Sequence, residues 1–142
     1  MTLDAAVTSS RKKKRLLVVD DEAAFCEVLK ARLEMFGYEV SIAQDSGEAW
    51  QHLLRELPDL VLLDIRMPQE DGYTFFRKLR SFRNEEDFTL QERIRALPVI
   101  VVSVVGEEMR PLFEQEGISG YFTKPIDSTV LKKRIDEVLQ LN

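Results

Sequence analysis

The sequence predicts a doubly wound α/β domain built on a parallel sheet, and three observations carry that expectation. Short, unbroken apolar runs recur at 16–19, 60–63 and 98–102, without the alternation of a strand that has one wet face. Such runs suit strands covered on both faces, as in a parallel sheet. Between them lie stretches whose apolar residues fall at helical spacing, so that strand and helix alternate five times. The runs also end on polar or charged residues, Asp64 after "LVLL" being the clearest case. In an open α/β sheet that C-terminal edge is where ligands bind.

Element by element, Met1 to Arg15 is polar, lacks periodicity and closes on "RKKKR". It reads as a flexible basic arm over 1–13, ahead of a single domain over 14–142. "LLVV" (16–19) is the first strand. Phe25, Val28, Leu29, Arg32, Leu33 and Phe36 then follow at helical spacing until Gly37, a natural helix terminator. "YEVSIA" (38–43) alternates as a shorter second strand. At "DSGE", Asp45 is placed to cap a helix, with Glu48 reaching back as a capping box. The third strand ends on Asp64, and "DGYTFFRKLRSF" (71–82) is helical, with Phe75 and Phe76 as core candidates.

The path to the fourth strand is long, and Asp87 can cap an extra short helix in the segment 84–97, carrying Phe88, Leu90, Ile94 and Leu97. "PVIVVS" (98–103) is the fourth strand. Pro111 falls inside the helix expected next, which therefore starts near Pro111 or is kinked. "GYF" (120–122) is a short fifth strand, and Asp127 caps a last helix with an apolar stripe of Val130, Leu131, Ile135, Val138 and Leu139. Crossovers between the parallel strands are right-handed by the general rule.

Composition sets the bounds. A chain of 142 residues suits one domain with a real core. Twenty Lys and Arg against 25 Asp and Glu, a formal charge of -5, argue against a protein built to grip nucleic acid. The one cysteine, Cys26, has no internal partner; with no secretory signal pattern, this points to the cytoplasm. No run approaches the roughly 18 apolar residues of a membrane span.

The strand ends can now be collected. The first delivers Asp20, Asp21 and Glu22, the third Asp64, the fourth Ser103, and the segment after the fifth Lys124 and Pro125. Clustered carboxylates repel and call for a cation. An all-oxygen set without thiolate or histidine suits a hard ion, and Mg²⁺ fits best. Lys124 and Ser103 are groups that suit the surroundings of a phosphoryl group.

"VVDDE", "LLDIRMPQEDG", "VIVVS" and "GYFTKP", in this order and spacing, resemble the receiver domain of bacterial two-component response regulators, over Lys14 to about Gln140. The resemblance implies a flavodoxin-like fold with strand order 2-1-3-4-5. It makes Asp64 the acceptor of a phosphoryl group from a sensor histidine kinase or phosphotransfer protein, with Mg²⁺ assisting. Asp21 would be a direct metal ligand and Asp20 one through water, with Asp64 and the backbone carbonyl of Arg66 completing the protein's share. Ser103 would be the switch hydroxyl, Tyr121 the switch aromatic, Lys124 the phosphate partner, and Lys124–Pro125 a cis peptide. Phosphorylation would draw Ser103 inward, turn Tyr121 into the space it leaves, and alter the face over about 106–141, which would bind a downstream protein or a second copy. The chain would be no conventional enzyme, yet would catalyse its own phosphorylation and dephosphorylation, either as a stand-alone receiver or as one cut from a larger protein.

Plainer roles exist for single residues. Asp20 or Asp21 could cap the first helix, Ser103 could be a loop hydroxyl, Tyr121 a core-edge aromatic, His52 a surface residue and Cys26 a core residue. Val104 departs from the family's Ala or Gly after the switch hydroxyl and should crowd the entrance to the phosphorylation site. Ser103 and Lys124 stand 21 positions apart, one fewer than usual. A haloacid-dehalogenase-type phosphatase would need a second Asp where Arg66 stands, and a dinucleotide enzyme would need glycines absent from "DDEAAF". The alternative that survives is a pseudo-receiver, a binding module that signals without phosphorylation.

Overall fold

The computed structural model describes residues 13–140, so almost all of the arm expected over 1–13 lies outside the described residues. Five parallel strands, β1 (Arg15–Val19), β2 (Glu39–Ala43), β3 (Leu60–Leu63), β4 (Val99–Ser103) and β5 (Gly120–Thr123), pair in the order β2-β1-β3-β4-β5. Six α-helices connect and follow them: α1 (Ala23–Met35), α2 (Ser46–Arg55), α3 (Gly72–Arg80), α4 (Phe88–Arg95), α5 (Arg110–Gln115) and α6 (Ser128–Leu139). Among the described residues no helix is long and apolar enough to cross a membrane.

The apolar runs of β3 and β4 are buried at every position, as strands covered on both faces must be. Successive side chains point to opposite faces, and two apolar layers result. Leu17, Val19, Val61, Leu63, Val99 and Val101 pack with Phe75, Phe76, Ile94 and Phe113 on one side. Leu16, Val18, Leu60, Leu62, Ile100 and Val102 pack with Leu29, Leu33, Leu131 and Ile135 on the other. Thus α1 and α6 cover one face of the sheet, and α3, α4 and α5 contribute to the other.

Register positions the site. Val19 lies opposite Leu63 and Leu63 opposite Val101, so the residues one step beyond β1 and β3, Asp20 and Asp64, leave the sheet side by side. The Asp64 amide donates to the Val19 carbonyl at 2.9 Å and the Asp20 amide to that of Ala43 at 3.0 Å, which carries the ladder past the strand ends.

Asp45, Asp71, Asp87 and Asp127 each cap a helix by accepting a backbone N–H. The box at α2 closes one residue upstream of the place expected. Asp45 accepts from the Glu48 amide at 2.8 Å, but the Glu48 carboxylate reaches the amide of Gln44 at 3.2 Å. Gly37 takes the positive φ of +102° that ends α1. A 3₁₀ turn (Glu107–Met109) leads into α5, which has Pro111 in its first turn, where a missing N–H costs nothing. Several stripe residues face water instead of the core: Val28 and Val130 are half exposed and Phe88 is 67% exposed. Three positions per two turns suffice to seat a short helix, and the remaining apolar positions are left outside.

Candidate functional site

Asp20 and Asp64 are buried and Asp21 is exposed, and each offers a carboxylate oxygen to a cluster whose atoms all lie within 4.8 Å of one another. Among the described residues, Asp64 Oδ1 is the only buried side-chain oxygen or nitrogen without a hydrogen-bond partner. Such an orphan costs stability unless a ligand answers it. Burial raises the Asp64 carboxyl above its ordinary range and the Asp20 charge adds to the rise, while the Ser103 hydroxyl, Lys124 and the Arg66 amide oppose it. Burial likewise raises Asp20, against the pull of Lys124 and the Glu22 amide.

The loop at Asp20 folds on itself. Asp20 Oδ1 accepts the Glu22 amide at 2.9 Å, and the Asp20 carbonyl accepts the Cys26 thiol at 3.2 Å. Burial pushes that thiol up to about 12, so it stays protonated and the donor set is oxygen alone. Carboxylates on two adjacent strand ends, an orphaned oxygen and no soft ligand fit a hard divalent ion such as Mg²⁺. Asp21 and Arg66 also border a cleft of about 650 Å³ floored by Ile65, Met67, Tyr73 and Met109. Behind the cluster, Gly72 starts α3 against the Asp64 peptide; a Cβ there would stand 2.2 Å from the Asp64 carbonyl oxygen. Sequence reasoning missed this close approach, although the "DG" step before a helix was its signal.

Lys124 enters from β5 through a cis peptide to Pro125, as the resemblance implies. Its amide donates to the Ser103 carbonyl at 2.8 Å. The ammonium bonds Asp20 Oδ2 at 2.8 Å and Glu22 Oε1 at 2.6 Å, and stands 4.0 Å from the Phe25 ring centroid. Burial alone would depress this lysine, but its bonds to Asp20 and Glu22 and the charges of Asp20 and Asp64 outweigh that and raise it. Glu22 was noted in sequence only as part of "DDE"; its bond to a lysine 102 positions away was not visible there.

Ser103 is buried, and its Oγ accepts the Val105 amide at 3.3 Å. Tyr121 does not meet the acids. Its ring is 4% exposed, its hydroxyl donates to the Gly106 carbonyl at 2.6 Å, and it packs 6.0 Å from Phe113. Arg110 covers the ring at 4.9 Å, donates to the Tyr121 carbonyl at 3.2 Å and pairs with Glu107 at 2.6 Å. Val104, 54% exposed, faces the outer groove it shares with Phe25, Lys124 and Pro125, at the border of the site. His52 lies elsewhere, 3.3 Å from Arg55.

A doubly wound sheet with a carboxylate triad, a buried hydroxyl and a paired lysine at its C-terminal edge defines a site suited to a divalent ion and a phosphoryl group. The chain belongs to the response regulator receiver domain family, whose model matches residues 16–136. The response regulator PleD of Caulobacter vibrioides is 39% identical over 119 residues, 82% of this chain and 24% of that protein. The response regulator Rre1 of Synechocystis is 37% identical over 124 residues, 84% of this chain and 49% of that one. The chain thus spans about a quarter to a half of these relatives. A CheY-like receiver domain protein from Methanospirillum hungatei superposes with a TM-score of 0.75 at 29% identity, covering 90% of this chain and 94% of that one.

Proposed function

We propose that this domain accepts a phosphoryl group on Asp64 from a histidine kinase or phosphotransfer partner and passes the signal on through protein contacts. The observation that carries the reading is the buried, unpartnered Oδ1 of Asp64 within reach of Asp20 and Asp21. Asp64 attacks as the carboxylate: one of its oxygens bonds to phosphorus, the donor's N–P bond breaks, and the electron pair stays on the imidazole nitrogen. With acetyl phosphate the P–O bond breaks instead, and acetate leaves. In the separate step of dephosphorylation, water attacks phosphorus, the bond from phosphorus to the Asp64 oxygen breaks with its electron pair on the carboxylate, and inorganic phosphate leaves with the water's oxygen and protons.

Asp20, Asp21, Asp64 and the carbonyl of Arg66 would hold Mg²⁺, which supplies charge neutralisation to the oxygens of the transferring group. The rigid end of β3 fixes the nucleophile, and Lys124 and Ser103 supply a charge and a hydroxyl donor to the phosphoryl oxygens. The buried Tyr121 favours a second reading, in which the face over 106–141 is competent to bind a partner without phosphorylation. Labelling with a phosphodonor, in the parent and in Asp64→Asn, separates the two: the first requires labelling that the variant loses, the second predicts partner binding that the variant keeps.

A further inference from the structure

We infer that Glu22 is a positioning residue that holds the Lys124 ammonium away from Asp64, and so sets how readily the site accepts and keeps a phosphoryl group. The inference rests on the reading of Asp64 as phosphoacceptor and adds a residue to which that reading gives no role.

Two groups that would be expected to attract each other do not meet. Lys124 bonds Glu22 at 2.6 Å and Asp20 at 2.8 Å, and no Asp64 oxygen is among its ion-pair partners, while Asp64 Oδ1 is left bare. The third side of the ammonium is closed by the Phe25 ring at 4.0 Å. An ammonium has three N–H groups and no acceptor, so two carboxylates and an aromatic face leave it little freedom to serve another anion.

The placement of Glu22 shows the same bias. It occupies the N-cap of α1, yet its side chain makes no capping bond, and the carboxylate goes to Lys124 instead. Its amide is pinned by Asp20 Oδ1, which aims the side chain across the site. Of the two acids on Lys124, Asp20 has a side chain 2% exposed and is locked in place, whereas that of Glu22 is 60% exposed and has the outer groove to move into. Ion pairs with one exposed partner are weak. A phosphoryl group, with its greater charge, can therefore take the lysine from Glu22, and must do so before Lys124 can bond its oxygens.

Two measurements test this on the whole chain. In the first, ¹⁵N–¹H spectra of the lysine ammonium groups without added metal or phosphate follow the exchange of the Lys124 protons with water. Glu22→Gln, which keeps the size and drops the charge, should speed that exchange severalfold; an unchanged rate overturns the inference. In the second, the initial rate of Asp64 phosphorylation by acetyl phosphate and the half-saturation point for beryllofluoride are compared in the same two proteins. Glu22→Gln should phosphorylate faster and bind beryllofluoride more tightly by about two- to fivefold, the scale of one exposed ion pair. A rate equal to or below the parent's overturns the inference while leaving Asp64 as acceptor. If the parent takes no label at all, the phosphoacceptor reading fails, and the spectra alone decide whether Glu22 restrains the lysine.

Discussion

The Tyr121 hydroxyl donates to the Gly106 carbonyl at 2.6 Å, so the buried aromatic is tied to the turn that leads into α5. Arg110 secures it from outside by stacking on the ring, bonding its carbonyl and pairing with Glu107. These residues tie β5 to the 3₁₀ turn and α5. At six residues α5 is too short to be held by its own backbone bonds, and Phe113 is its one fully buried anchor.

Hydrogen exchange with and without beryllofluoride and Mg²⁺ should therefore change most over 104–117, with smaller changes in β5 and α6. Changes confined to 84–97 would make α4 the responding surface and α5 a passive feature.

Mg²⁺ binding should depend on Asp21 more than on Asp20. Both Asp20 oxygens already have partners, the Glu22 amide and Lys124, whereas Asp21 is exposed and borders the cleft. By calorimetry Asp21→Ala should lose measurable binding and Asp20→Asn should weaken it less. An Asp21→Ala protein that binds like the parent would place the ion elsewhere.

Stability should carry the signature of crowded acids. Asp20 and Asp64 are both raised, chiefly by burial, so the folded chain binds their protons more tightly than the unfolded chain does. Their contribution is full below the ordinary carboxylate value of 3.8 and is lost as pH rises through the raised folded values. At neutral pH without divalent ions, Asp64→Asn should stabilise the fold, with the gain fading in acid. Thermal melts at neutral and acid pH check both; a variant less stable than the parent at neutral pH would contradict the sign.

Arg80 joins α4 to α5. From the end of α3 it donates to the carbonyls of Arg95, the last residue of α4, and Leu97 just after it, and of Glu116 and Gly117 after α5, with its guanidinium 4.5 Å from the Phe76 ring centroid. Bonds from a charged donor are the stronger kind, so Arg80→Ala should cost about 2 kcal/mol and expose 84–97 to protease first. Chemical denaturation and limited proteolysis would show it. Unchanged stability would mean that water replaces the arginine without loss.

Much of this fold was legible because β1, β3 and β4 are buried on both faces and so stand out as apolar runs, and because Pro111 and Gly37 mark helix ends by backbone chemistry alone. Asp20, Asp21, Asp64, Ser103 and Lys124 were legible for the same reason: parallel strands of known polarity bring their C-terminal ends to one edge. Partner choice was not. The bond from Lys124 to Glu22, the four carbonyls around Arg80 and the contact of Gly72 with the Asp64 peptide depend on how distant segments pack, which periodicity does not encode. The contacts that Tyr121 makes with Arg110 and Gly106 also depend on distant packing, as does which apolar helix positions, Val28 and Phe88 among them, are left outside.

The central claim, that Asp64 is a phosphoacceptor, is tested most directly by intact mass after incubation with acetyl phosphate and Mg²⁺. The account predicts the added mass of one phosphoryl group in the parent and none in Asp64→Asn; equal labelling of both proteins, or no labelling of the parent with any phosphodonor, would contradict it.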